Sequence, residues 1–143
     1  MPVDPILEFI RLMWAVDHEL HSISKRMVER MGLTAPQRLA VRFIGRQAGV
    51  TLGTLAALLH LHPGTVTGVV RYLEEQGLVT RTRSTEDTRR MHLTLTAAGR
   101  LLDRRRKGTV EAAVRRTAAA MTPAQLAAAA HVMAVLAADL AAE

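Results

Sequence analysis

The sequence predicts a mainly α-helical chain that carries one small β-hairpin, with long helices at both ends. Three observations predict it. Apolar residues recur at three- and four-residue spacing along most of the chain. Threonine or proline stands where each such stretch begins, as helix caps and first turns prefer. Two short alternating runs rich in β-branched residues, 78–83 and 91–96, enclose the polar segment from Ser84 to Arg90. That is the pattern of a two-stranded hairpin.

Residues 5–30 read as one helix. Ile6, Phe9, Ile10, Met13, Val16, Leu20, Ile23 and Met27 share a stripe, Pro5 suits the first turn, and Gly32 ends it. A second helix begins after Thr34, with Pro36 in its first turn and Gln37 placed to complete a capping box. Ala40, Val41 and Ile44 face inward, and Gly49 stops it. Thr51 caps a short third helix to Leu59, in which Leu52, Leu55, Ala56 and Leu59 are apolar. After His60-Leu61-His62, Pro63 opens a fourth helix to about Gln76. Val66, Val69, Val70 and Leu73 form its stripe, and Gly77 sits where a left-handed cap belongs. Thr96 caps a fifth helix expected from Ala97 to about Ala120. Gly108 within it costs about 1 kcal/mol relative to alanine and marks a bend or a close helix contact. Thr122-Pro123 restarts a helix in which Leu126, Ala129, Met133, Leu136 and Leu140 repeat at heptad-like spacing.

The composition is that of an ordinary globular chain: 143 residues, 49% apolar and 22% charged. One domain over 1–143 is expected, with residues 33–96 as its helix-and-hairpin core. Cysteine is absent, which excludes disulfides, thiolate metal sites and a cysteine nucleophile. No uninterrupted apolar run approaches the roughly 18 residues of a membrane span. Met1-Pro2-Val3-Asp4 lacks a basic leader. A cytoplasmic chain with no membrane partner is expected.

The net charge of +6 is local. Residues 78–107 hold nine basic side chains against Glu86, Asp87 and Asp103, whereas the other 113 residues hold ten of each sign. A surplus confined in this way creates the field that attracts phosphate. Phe9, Trp14, Phe43 and Tyr72 are too few aromatics to stack unpaired bases. Duplex rather than single-stranded nucleic acid is therefore the expected partner.

Short helices meeting at a tight turn, then a basic-tipped hairpin, are the order of a winged helix-turn-helix. A helix enters a major groove only if its leading end is small or polar. Here that end is Pro63, Gly64, Thr65, Thr67, Gly68 and Arg71. The threonines reach phosphates or thymine methyls, and Arg71 reaches guanine or phosphate. N–H groups at the helix start are expected to be open to phosphate. Arg89 or Arg90 at the hairpin tip suits a narrow minor groove, with Asp87 pairing to orient it. Arg81, Arg83 and Thr51 complete the candidate contacts to DNA.

Three segments carry a family resemblance. They are Leu33-Thr34-x-x-Gln37; Gly64-Thr65-Val66-Thr67 followed by Tyr72-Leu73-Glu74-x-x-Gly77-Leu78-Val79; and Asp87-Thr88-Arg89-Arg90-x-x-x-Thr94-Leu95-Thr96-x-x-Gly99. Over about residues 5–143 the chain resembles the multiple-antibiotic-resistance regulator (MarR) family of bacterial winged-helix repressors. The resemblance implies a homodimer with the first, fifth and sixth helices interlocked, so that 5–30 and 97–143 are dimerisation helices. It also implies a pseudo-palindromic operator, released on an effector signal. Members commonly carry arginine where Gly68 and Tyr72 stand, with an acid near Arg71, so no operator sequence is implied here. The residues argue for a dimer on their own account. The long amphipathic end helices exceed what a winged core needs, and their stripes must be buried. A twofold partner does this and sets two recognition helices roughly 34 Å apart.

Trp14, His18, Arg42, Phe43 and Arg46 are the candidate effector contacts, since an arginine beside an aromatic ring suits a small aromatic or anionic molecule. By resemblance, phenolic and other aromatic acids bind family members in this region. His18-Glu19-Leu20-His21 falls one residue short of a zinc-protease pair, and His60 and His62 lie in the turn. No metal or cofactor is expected; a zinc-responsive variant of the same regulator is the alternative signal. Ser22, Ser24 and Ser84 have no evident base and no phosphate loop is present, so no enzyme is expected. The expected function is ligand-responsive repression on the nucleoid. The alternative class is a winged-helix module that binds protein through the same surface.

Overall fold

The structure, a computed structural model, describes residues 2–87 and 89–143. Its elements are α1 (Pro5–Met31), α2 (Ala35–Arg46), β1 (Val50–Thr51), α3 (Leu52–Leu59), α4 (Pro63–Glu75), β2 (Val79–Arg83), β3 (Met91–Leu95), α5 (Ala97–Arg104), α6 (Val110–Ala119) and α7 (Pro123–Ala142). They form two compact units, Met1–Thr109 and Val110–Glu143.

The helix starts follow their caps. Asp4 Oδ1 accepts the Ile6 N–H at 2.8 Å, ahead of Pro5. Thr34 and Gln37 close a capping box at 3.3 and 2.9 Å, and Thr122 and Gln125 close another at 3.1 and 2.9 Å. Arg11 donates to both carboxylate oxygens of Glu8 on α1 and holds that exposed carboxyl below the usual range.

The core of the first unit gathers Ala40, Val41 and Ile44 of α2, Leu55 and Ala56 of α3, and Val66, Val70 and Leu73 of α4. Val50, Val79 and Leu93 join them from the sheet. Burial of each large side chain contributes roughly 1.5–3 kcal/mol, and it sets α3 and α4 against α2. The first half of α1 is different. Before Ser22 only Glu8 and Met13 are partly covered, and Ile6, Leu7, Phe9, Ile10, Trp14 and Leu20 are exposed.

In the second unit Leu126, Met133 and Leu140, seven residues apart on α7, are all exposed. The most apolar 18-residue window of α7 has a mean hydropathy of 1.5, so by length and composition this helix suffices to cross a membrane. Alanines raise the average around His131 and Asp139 without any unbroken apolar run.

The sheet has three strands, not the expected two. β1 pairs with β3 through Val50–Leu93 and Thr51–His92, giving the antiparallel order β1-β3-β2. A two-residue strand is too short to leave an alternating pattern. Across β2 and β3, the Thr80 and Thr94 hydroxyls meet at 3.0 Å.

The hairpin is pinned where α5 begins. Thr96 Oγ1 donates to the Gly77 carbonyl at 2.6 Å and accepts the Gly99 N–H at 3.0 Å. The Thr96 N–H donates to the Leu78 carbonyl at 3.0 Å. A Cβ on Gly99 would stand 2.1 Å from that carbonyl oxygen. No side chain fits there, which is the physical reason for Gly99 in the wing signature.

The expected fifth helix from Ala97 to Ala120 is interrupted. α5 ends at Arg104, α6 begins at Val110, and Gly108 takes φ +78° between them. Arg38 of α2, only 2% exposed, caps the stop. Its guanidinium donates to the carbonyl of Leu102, and to those of Asp103 and Arg105 at 3.0 and 2.6 Å. A continuing helix would bond those carbonyls to residues four further on. Beside it, Arg42 Nη1 lies 2.7 Å from Asp103 Oδ1.

Gly99→Ala is expected to lower stability by about 2–3 kcal/mol, as overpacking against backbone does; an unchanged urea midpoint would contradict the close approach. Arg38→Met removes the donors together with the charge. It is expected to cost about 3 kcal/mol in the same assay, since buried carbonyls lose their partner. A loss below about 1 kcal/mol would argue against the capping role.

Candidate nucleic-acid interface

A tight turn sets α4. His60 ends α3 in the left-handed region, at φ 52° and ψ 45°. This conformation is uncommon for a residue with a side chain and costs about 1 kcal/mol. His62 then caps α4, its Nδ1 accepting the Gly64 N–H at 3.1 Å. Pro63 has no N–H, and those of Thr65 and Val66 donate to the His62 carbonyl at 2.9 and 3.1 Å. The expectation of open N–H donors for phosphate is thereby corrected. His62 occupies the slot before Pro63 that an N-cap takes, and that position was the available signal.

Val66, Val70 and Leu73 face the core, so Pro63, Gly64, Thr65, Gly68 and Arg71 lie exposed on the outward side of α4. Thr67 is half-buried, and its hydroxyl donates to the Pro63 carbonyl at 3.0 Å. Its methyl and lone pairs are what it can offer outward. No atom lies within 4 Å of a Cβ built on Gly68. Glycine in mid-helix costs about 1 kcal/mol, and the fold has no packing reason for it here. What Gly68 provides is bare backbone on the outward face. Tyr72 donates from its hydroxyl to the Gly32 carbonyl at 2.7 Å and ties α4 to the end of α1. Thr51, at the start of α3, has a committed hydroxyl, which accepts the Thr54 N–H at 3.2 Å and meets the Thr54 hydroxyl at 3.1 Å.

The hairpin is joined to α4 by Arg81, whose Nε lies 2.6 Å from Glu74 Oε1 with both side chains partly buried. Arg83 is exposed at the end of β2. At the tip, Ser84 Oγ accepts the N–H groups of Glu86 and Asp87 at 3.2 Å each. Asp87 Oδ1 accepts the Arg89 N–H at 3.0 Å. The same carboxylate lies 3.5 Å from Arg89 Nε and 3.7 Å from Arg90 Nε, with these arginine side chains 92% and 70% exposed. Exposed pairs of this kind add at most about 1 kcal/mol to stability; their effect is on position. Thr88, in the same signature, lies outside the described residues.

The candidate effector residues occupy separate surroundings. Trp14 and His18 lie on the exposed part of α1, Arg46 is exposed at the end of α2, Phe43 packs partly on the core, and Arg42 is engaged by Asp103. None of the five lines the cavity of about 350 Å³ at the ends of α1 and α4. His21 Nδ1 lies 2.8 Å from the Asp17 carbonyl. Among the described residues, no three histidine, aspartate or glutamate side chains come together as a metal site requires.

Comparison with known proteins places this geometry. A MarR family profile matches residues 33–91, which hold α2 to α4, β2 and the hairpin tip as far as the first residue of β3. The organic hydroperoxide resistance transcriptional regulator of Bacillus subtilis is 34% identical over 91 residues, 64% of this chain and 62% of that one. The chain thus spans less than two thirds of that regulator's length. The HTH-type transcriptional repressor Rv2887 of Mycobacterium tuberculosis is 35% identical over 95 residues, 66% of this chain and 68% of that one. The solved structure of Rv2887 in complex with salicylic acid matches with a TM-score of 0.58 at 30% identity, covering 87% of this chain and 93% of that one. Streptococcus pneumoniae FabT in complex with DNA matches in fold, with a TM-score of 0.72 at 24% identity over 94% and 96% of the two chains. The profile falls on the very elements that build the outward helix face and its arginine-tipped hairpin, and the identity to Rv2887 extends over two thirds of that repressor: this chain belongs to the MarR family of winged-helix transcription regulators.

Proposed function

We propose that the protein is a ligand-responsive repressor that binds pseudo-palindromic duplex DNA as a homodimer, in the cytoplasm on the nucleoid. One observation carries this reading. The outward face of α4 bears only small or polar groups and Arg71, and it is joined through Glu74–Arg81 to a hairpin whose exposed arginines share Asp87. A bare helix face can lie close to base edges in the major groove, while a tip arginine suits the narrow minor groove. Arg81 acts indirectly here, by setting the hairpin against α4. The solved complexes of Rv2887 with salicylic acid and of FabT with DNA support the ligand and DNA sides of the reading. A small aromatic or anionic effector is the proposed signal, and no catalysis is involved.

Residues 33–96 read DNA, and 5–30 and 97–143 serve the dimer. The exposed apolar residues of α1 and the seven-residue stripe of α7 are each surfaces that a soluble protein buries against a partner. A second copy covers them and spaces two α4 helices about 34 Å apart.

Fluorescence anisotropy with duplex from the DNA flanking the gene tests the interface. Arg89→Ala is expected to weaken binding and to flatten the dependence of log K on log salt by about 0.9. Gly68→Ala is expected to stabilise the fold by up to about 1 kcal/mol while weakening DNA binding. Wild-type affinity and salt slope in both variants would refute the contact assignment. Sedimentation at micromolar concentration is expected to give twice the chain mass of 15.6 kDa, with Met133→Asp shifting it toward one chain. A single-chain mass for the wild type would end the dimer reading.

A further inference from the structure

We infer that the leading end of α4 selects its DNA site by the C5-methyl groups of thymine, received by Thr65 and Thr67 on either side of a stripe of bare glycine backbone. The inference rests on the function proposed above and deepens it, because it names what in the base sequence is read.

Helical geometry sorts the outward face. Residues three, four and seven apart share one side of a helix. Gly64, Gly68, Arg71 and Glu75 therefore form one stripe, opposite the buried Val66, Val70 and Leu73. Thr65 flanks that stripe on one side and Thr67 on the other. Over the first two turns the centre of the stripe is glycine alone. Arg71, the one cation of α4, follows Gly68 by about a turn, and Glu75 stands at the last residue of the helix.

The polar groups of the leading end are engaged within the turn and the helix. His62 Nδ1 accepts the Gly64 N–H at 3.1 Å, and the Thr65 and Val66 N–H groups donate to the His62 carbonyl. The Thr67 hydroxyl donates to the Pro63 carbonyl at 3.0 Å, which uses its one proton and leaves the methyl as the group to present. Thr65 is exposed and offers a methyl beside its hydroxyl. From Pro63 to Val70 there is no side-chain amide to pair with adenine, no carboxylate to pair with cytosine and no guanidinium to pair with guanine.

Such a surface discriminates in two ways. The thymine methyl is the one apolar group on the base edges of the major groove, and against bare Cα atoms and threonine methyls it leaves water favourably. An adenine N6 or a guanine O6 pressed there loses water and gains no partner, which is unfavourable. Close approach is what the glycines supply. A Cβ on Gly68 would meet no protein atom within 4 Å, so the space above it lies outside the protein and is kept open by the missing side chain.

Fluorescence anisotropy tests this with the duplex flanking the gene, prepared with thymidine or with deoxyuridine in every such position. Deoxyuridine lacks only the C5-methyl and keeps the pairing edge and the phosphates. Affinity is expected to fall about fourfold for each contacted methyl, the factor for one buried methyl group, and so at least about tenfold over two half-sites. The dependence of log K on log salt is expected to stay the same, since no phosphate contact is lost. Thr65→Ser and Thr67→Ser each remove a methyl and keep the hydroxyl, and with it the bond from residue 67 to the Pro63 carbonyl. Each is expected to bind the thymidine duplex about fourfold more weakly per half-site and the deoxyuridine duplex as the wild type does, at an unchanged thermal midpoint. Equal wild-type affinity for the two duplexes, a changed salt slope, or an undiminished thymidine preference in either serine variant overturns the inference. A thymidine duplex that is not bound at all overturns the proposed function itself, whereas a bound duplex whose methyls make no difference overturns this inference alone.

Discussion

Arg38 carries a positive charge into the first unit at 2% exposure, and its neighbours are arranged to receive it. A buried cation without partners is destabilising by several kcal/mol. The carbonyls of Leu102, Asp103 and Arg105 replace the water it has lost. They lie at the C-terminal end of α5, where the helix dipole concentrates partial negative charge. Two consequences follow. The carbonyls left open where α5 stops at Arg104 are satisfied, and α2 is fastened to α5 along the side that also carries Arg42–Asp103. Gly45 belongs to the same arrangement: a Cβ there would stand 2.7 Å from Asp103 Oδ2 and 2.9 Å from Leu95 Cδ1. α2 comes close enough for the ion pair because it has no side chain at that point.

A second set of contacts sets the hairpin against α4. The Leu78 carbonyl receives the Thr96 N–H and lies against the bare Cα of Gly99, while Thr96 bridges Gly77 and Gly99 through its hydroxyl. Glu74–Arg81 repeats the connection from the other direction, and Tyr72 carries α4 back to Gly32 at the end of α1. The residues that face outward on α4 contribute almost none of these bonds. The outward face is shaped from behind, which leaves Gly64, Thr65, Gly68 and Arg71 exposed.

Charge and apolar surface are divided in the same spirit. The positive surplus lies between residues 78 and 107, where the hairpin tip and the basic loop after α5 stand in solvent. Large apolar side chains outside the core are concentrated on α1 before Ser22 and on α7. The first distribution suits phosphate, and the second suits the second copy proposed above.

Local rules were sufficient for much of this protein. Thr34–Gln37, Thr122–Gln125 and Thr96–Gly99 are caps formed within three residues, Gly32 and Gly77 close helices in the left-handed region, and Asp87 finds Arg89 and Arg90 within three positions. The alternating runs determined the hairpin, and the clustering of arginine determined where the positive field lies. Such features were legible because each partner is set by chain geometry at short range. The tertiary structure alone decided the rest. Arg38 meets Leu102 across 64 residues, Tyr72 meets Gly32 across 40, and the ring of His92 meets the Gly49 carbonyl across 43. Arg38 and Arg42 read in the sequence like any arginines on a helix, and β1 is two residues long. Only the packing of α2 on α5 buries the first and pairs the second, and only β3 makes a strand of Val50–Thr51. A long-range partner is chosen by which surfaces the core brings together, and that choice leaves no periodic mark on either segment of the chain.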